Sequence, residues 1–106
     1  MIRVTVETVE HQYHSMTVVG HAETGESGFD LVCAGVSSIL TGALNAFDEM
    51  DDDAHLIMSD EPLIYIELKS KNQLNQKLFE FMLIQLKTVE AAHPQDIEIH
   101  EKEVRS

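Results

Sequence analysis

Gly20-His21-Ala22-Glu23-Thr24-Gly25-Glu26-Ser27-Gly28-Phe29-Asp30-Leu31-Val32-Cys33 is the stretch on which the fold of this chain turns. Before it the sequence alternates. Ile2, Val4 and Val6 share one parity against Arg3, Thr5 and Glu7, the signature of a half-buried strand over residues 2–10. A turn at His11-Gln12 leads into a second strand over 13–20, with Met16, Val18 and Gly20 in one parity. From Glu23 to Phe29 the glycines, serine and threonine break every period, so this segment reads as a loop. From Asp30 the spacing becomes helical, with Val32, Val36, Ile39 or Leu40, Ala43 and Phe47 recurring on one face. Asp30 has the chemistry of an N-cap, a carboxylate that accepts from free backbone N–H groups. The acidic run Asp48-Glu49-Met50-Asp51-Asp52-Asp53 opposes the negative end of the helix dipole, so the helix is expected to fray there.

Downstream, residues 54–59 and 63–69 read as short strands separated by the turn sequence Asp60-Glu61-Pro62. A second helix is predicted from about Asn72 to Ala92, with Leu74, Leu78, Phe81, Met82, Leu86 and Val89 as its apolar stripe. His93-Pro94 ends it, because proline disfavours helix at the preceding residue. Ile97 and Ile99 then alternate with Glu98 and His100 in a closing strand. The order β-β-α-β-β-α-β argues for an α+β fold, a two-layer arrangement in which two helices pack on a mixed sheet. Residues 1–106 read as one domain, without linker, repeat or low-complexity segment.

Cys33 is the only cysteine of the 106 residues. It cannot form an internal disulfide, which points to a reducing, cytoplasmic setting. If Asp30 caps the helix, Cys33 is its third residue, where unpaired backbone N–H groups and the positive end of the dipole favour a thiolate. A negative Asp30 opposes that effect, and a histidine such as His21 can complete the activation by accepting the thiol proton. The same N–H groups can hold the oxyanion formed when a thiolate attacks a carbonyl. Ser37 projects one turn further along the same face, placed to orient substrate or water. Each residue also has a plainer role. A lone cysteine at a helix start is often a small buried apolar residue, a loop glycine serves turn geometry, and a helical serine bonds back to a carbonyl. From the residues alone both readings stand.

Other chemistries fit less well. Seven Lys+Arg against nineteen Asp+Glu give a formal charge of −12, which disfavours nucleic acid and favours basic peptide or protein partners. Gly25-x-x-Gly28 lacks the Lys-Ser/Thr of a phosphate loop, and Glu23, Glu26 and Asp30 would repel phosphate. His11-x-x-His14 falls on a turn without a cysteine pair, and Asp51-Asp52-Asp53 lacks the glycine and distal glutamate of a calcium loop. Neither a metal nor an organic cofactor is therefore expected. No uninterrupted apolar run approaches the roughly 20 residues that span a bilayer, so no membrane association is expected.

Gly20-His21-Ala22, Gly25, Gly28, Asp30, Val32-Cys33-Ala34 and Val36-Ser37 together resemble the signature of the ribosomal-processing cysteine proteases, small bacterial proteins. The resemblance extends over essentially the whole chain. It implies a two-layer α/β fold, a homodimer, and an endopeptidase that removes the N-terminal extension of large-subunit ribosomal protein number twenty-seven after an aromatic residue. It places the nucleophile on Cys33 and the catalytic histidine on His21, with Asp30, Ser37, Gly25 and Gly28 in supporting or substrate-contacting positions. Gly35 stands where the family often has alanine, and Leu31 where isoleucine is usual. The expected function is thus removal of that extension by a Cys-His dyad, with the loop from Glu23 to Phe29 closing over the peptide. The alternatives are a noncatalytic ribosome-assembly adaptor for the same protein and a thiol acyltransferase.

Overall fold

The structure, a computed structural model, describes residues 1–20, 27–51, 54–59 and 63–104. The elements follow the expected order: β1 (Ile2–Val9), β2 (Gln12–Val19), α1 (Ser27–Met50), β3 (Ala54–Ser59), β4 (Leu63–Leu68), α2 (Gln73–Ala92) and β5 (Ile97–Glu103). The strands form one mixed sheet in the order β3-β4-β2-β1-β5, in which only β1 and β5 are parallel neighbours. Each helix is a crossover. α1 joins β2 to β3 and α2 joins β4 to β5, both pairs running in the same direction with other strands between them. The two crossovers travel in opposite directions along the sheet from oppositely directed strands. The right-handed rule therefore puts both helices on one face. Their buried residues accordingly meet in one cluster: Val32, Val36, Leu40 and Phe47 of α1, and Phe79, Met82, Leu83 and Leu86 of α2, with Val4, Val6, Met16 and Ile66 of the sheet.

Several sequence expectations shift. The β1–β2 turn is Glu10-His11, both residues with positive φ (52° and 65°), rather than His11-Gln12. Positive φ at both central residues matches the right-handed twist of the strands, and neither residue is among those that usually announce such a turn. The hairpin shifts register at Glu7/Thr8, where His14 is the extra residue. The bulge lets Tyr13 face the helices and stack on Phe79 at 4.7 Å. Gln76 clamps it, accepting from the Tyr13 N–H and donating to the Tyr13 carbonyl, each at 2.8 Å.

The acidic end of α1 does not fray before Met50. Phe47 is buried beneath it, the Asp51 N–H donates to the Phe47 carbonyl at 2.8 Å, and the Asp51 carboxylate is itself buried and accepts from Asn75 Nδ2 at 3.2 Å. Asn75 also forms a capping box with Asn72, so α2 starts within one residue of its expected position. The stripe of α2 is rotated from the one expected. Phe79, Leu83 and the polar Asn75 point inward, whereas Phe81 is 67% and Leu74 44% exposed.

α1 also corrects the membrane argument. Leu31–Met50 has a mean hydropathy of 1.4 and the length to cross a bilayer. In the fold it behaves as an amphipathic core helix. Val32, Val36, Leu40, Leu44 and Phe47 seat it on the sheet, and its water-facing side carries small and polar residues such as Ser37, Ser38, Thr41 and Asn45.

Candidate active site

β2 leaves the sheet at Gly20, where the chain passes against its own N-terminus. Gly20 has φ +116°, and a Cβ there would collide with the Met1 carbonyl oxygen and lie 2.9 Å from Ile2 Cα. Both the backbone angle and the space demand glycine. Gly20 thereby fixes the point from which the segment bearing His21 departs. Sequence reading placed Gly20 on a strand face; only its place in the Gly-His-Ala triplet hinted at more.

α1 begins at Ser27, a turn earlier than expected, so Asp30 is not its N-cap and residues 27–29 are not loop. Asp30 is the fourth helical residue and Cys33 the seventh. This changes the chemistry. The helix leaves unpaired only the N–H groups of its first four residues, so the Cys33 amide donates back into the helix and cannot itself serve an oxyanion. The dipole's influence fades beyond the first turn, which weakens its pull on the sulfur and moves the burden of activation to a proton acceptor. A helix start at Asp30 looked sufficient because the apolar period begins there. The extra turn carries no periodic residue except Phe29.

Cys33 is partly buried and packs against the core cluster, while Ser37, one turn on, is exposed. Position and access thus suit a nucleophile on a rigid helix. His21, Gly25 and the rest of residues 21–26 lie outside the described residues, and for Gly28 and Asp30 only the helical backbone is described. The expected pairing of His21 with Cys33 and the expected closing of the loop therefore fall outside the described residues. His11 and His14, weighed as a metal pair, turn to different partners. His11 Nδ1 sits 3.7 Å from Glu103, whereas His14 lies 2.8 Å from Lys71 Nζ through Nδ1 and 3.6 Å from Glu67 through Nε2.

A five-stranded mixed sheet covered on one face by two crossover helices, the first carrying a part-buried cysteine near its start, defines a small two-layer α/β domain. The family model described as cysteine protease Prp matches residues 1–98. This chain belongs to the Prp family of cysteine proteases. The ribosomal processing cysteine protease Prp of Staphylococcus aureus is 33% identical over 86 residues, covering 78% of this chain and 81% of that one. The corresponding Mycoplasma pneumoniae protein is 31% identical over 106 residues, 96% of each chain. The crystal structure of S. aureus Prp in complex with a substrate peptide superposes with a TM-score of 0.87 at 27% identity, over 96% of this chain and 100% of that one. The same protease with a covalently linked product peptide gives a TM-score of 0.85 at 28% identity, with the same coverage.

Proposed function

We propose that this protein is a cytoplasmic endopeptidase that removes the N-terminal extension of large-subunit ribosomal protein number twenty-seven, using Cys33 as nucleophile and His21 as base. The observation that carries this reading is the place of Cys33, on a helix shared in fold and in family with a protease solved with its substrate peptide. In the first step His21 takes the thiol proton and the sulfur attacks the scissile carbonyl, forming a tetrahedral oxyanion. Collapse of that intermediate breaks the C–N bond as the imidazolium returns its proton to the leaving amine. Water, deprotonated by the same imidazole, then releases the acyl group from sulfur. Since the Cys33 amide is consumed by the helix, the oxyanion donors belong to the start of α1 or to the segment before it. Gly25, Gly28, Asp30 and Ser37 support this machinery or touch the peptide.

A homodimer is part of this reading. Phe81, 67% exposed, borders a groove of about 240 Å³ between α1 and α2, floored by Gly42, Ala43 and Ala46. A ring beside a hollow on the same face is self-complementary, the property a two-fold contact uses. Among the described residues no charged side chain lines the groove, so two chains of net charge −12 can meet there without opposing carboxylates from that lining.

Incubation of the purified protein with the full-length ribosomal precursor tests the function. Loss of mass equal to the extension, absent in Cys33→Ala and His21→Ala, is the expected result. Tight binding by the unaltered protein without mass loss would instead identify an adaptor, and turnover of small thioesters alone a transferase.

A further inference from the structure

The two edges of the sheet are built differently. The β5 edge carries Glu98, His100, Glu101, Lys102 and Glu103, the charged guard that keeps another strand from pairing. β3, at the other edge, reads Ala54-His55-Leu56-Ile57-Met58-Ser59, without a carboxylate, lysine, arginine or proline. It pairs with β4 alone among the described residues, so half of its backbone N–H and C=O groups face outward, beside an Ile57 that is 40% exposed.

The topology brings this unguarded edge toward the start of α1, which carries Cys33. α1 and β3 run in opposite directions and are joined by residues 51–53, so the Cys33 end of the helix lies toward Ser59. The same sheet row holds Ser59, Leu63 and Val19, the last residue of β2 before the Gly20-His21 exit. On α1 the residues that line the groove with α2 are Ser38, Ile39, Gly42, Ala43 and Ala46. At about 100° per residue, Cys33 and Ser37 stand roughly opposite these, on the side turned away from α2. α1 packs against β3, whereas α2 packs against β5 and β2, so that side overlooks the free edge. From Met50 back to Cys33 the helix rises about 26 Å, and the six residues of β3 cover about 20 Å. A strand paired along β3 therefore draws level with Cys33 within about two residues of leaving the edge.

We infer that the free edge of β3 is the substrate track: an extended peptide adds to the sheet as a sixth strand and is delivered by that pairing to Cys33. The inference rests on the protease reading for the identity of the peptide, but not for the track itself. Strand addition takes its affinity from main-chain hydrogen bonds and its specificity from alternate side chains. It thus suits an unstructured N-terminal extension that must be held straight at one bond.

The test uses Cys33→Ala protein and a fluorescein-labelled peptide spanning the extension and cleavage site of the ribosomal precursor, with N-methyl groups placed at each backbone nitrogen in turn. Anisotropy titrations are expected to show about five- to tenfold weaker binding at every second position and little change between them, as each blocked N–H loses one hydrogen bond. Peptide is also expected to protect the outward amides of β3 from hydrogen exchange, and Ile57→Lys to weaken binding. Uniform tolerance of N-methylation, or no binding at all, overturns the track. So does protection of β3 that rises with protein concentration without peptide, because a second copy would then hold the edge. Failure of the unaltered protein to cleave a peptide that does bind with alternating sensitivity overturns the protease reading and leaves the track standing.

Discussion

Cys33 sits where a nucleophile can work, part-buried on the core side of a long helix, but its surroundings differ from those of a cap position. At the seventh helical position the dipole favours a thiolate less than at a cap, so the proposed activation rests on a neighbouring base. The pH profile of Cys33 alkylation should therefore shift upward in His21→Ala; an unchanged profile would count against the histidine. Two glycines separate backbone necessity from tolerance. Gly20→Ala meets the backbone of Met1 and Ile2 at a positive φ, and should cost at least about 2 kcal/mol in urea unfolding while displacing the segment that bears His21. Gly35 is exposed, and an added Cβ has nothing within 4 Å. Gly35→Ala should accordingly stabilise by about 0.5–1 kcal/mol, seen as a melting temperature a few degrees higher with unchanged peptide cleavage.

Among the elements, β5 is tied to the β1–β2 turn by one side chain. The Thr8 hydroxyl donates to Glu103 at 2.6 Å and the His11 N–H at 3.2 Å, which holds the Glu103 carboxyl below its ordinary value of 4.5. Because the folded state prefers the carboxylate, this contribution is complete above the ordinary value and is lost as pH falls through the lowered one. Glu103→Gln should thus melt earlier than the unaltered protein at neutral pH, and the gap should close on acidification below the ordinary carboxylate range. A gap that is constant with pH would show that the amide replaces the carboxylate in full. The helices show where local reading stops. The residue types of α2 mark its ends within one position, yet Phe81 and Phe79 are equally apolar in sequence, and only packing on Tyr13 selects Phe79 for the interior.

At the scale of the whole molecule the acidic charge is the feature with consequences for partners. A net charge of −12 favours basic partners, and salt screens that attraction. Binding of a lysine-rich precursor peptide to Cys33→Ala protein should weaken steadily between about 0.05 and 0.5 M salt, while an uncharged analogue should not respond.

The β-β-α-β-β-α-β order was legible because strand and helix periods are properties of neighbouring residues, and the family signature because it is contiguous from Gly20 to Ser37. Cys33 was legible for the same reason. The strand order, the bulge that turns Tyr13 inward and the burial of Asp51 and Asn75 were not, because each depends on residues far apart in sequence. The early start of α1 was not legible because its added turn, Ser27 to Asp30, carries no apolar side chain except Phe29 and so leaves no period. The sequence by itself determined the elements and singled out Cys33. Tertiary structure decided which strands form the edges of the sheet, since edges exist only once strands have chosen their neighbours.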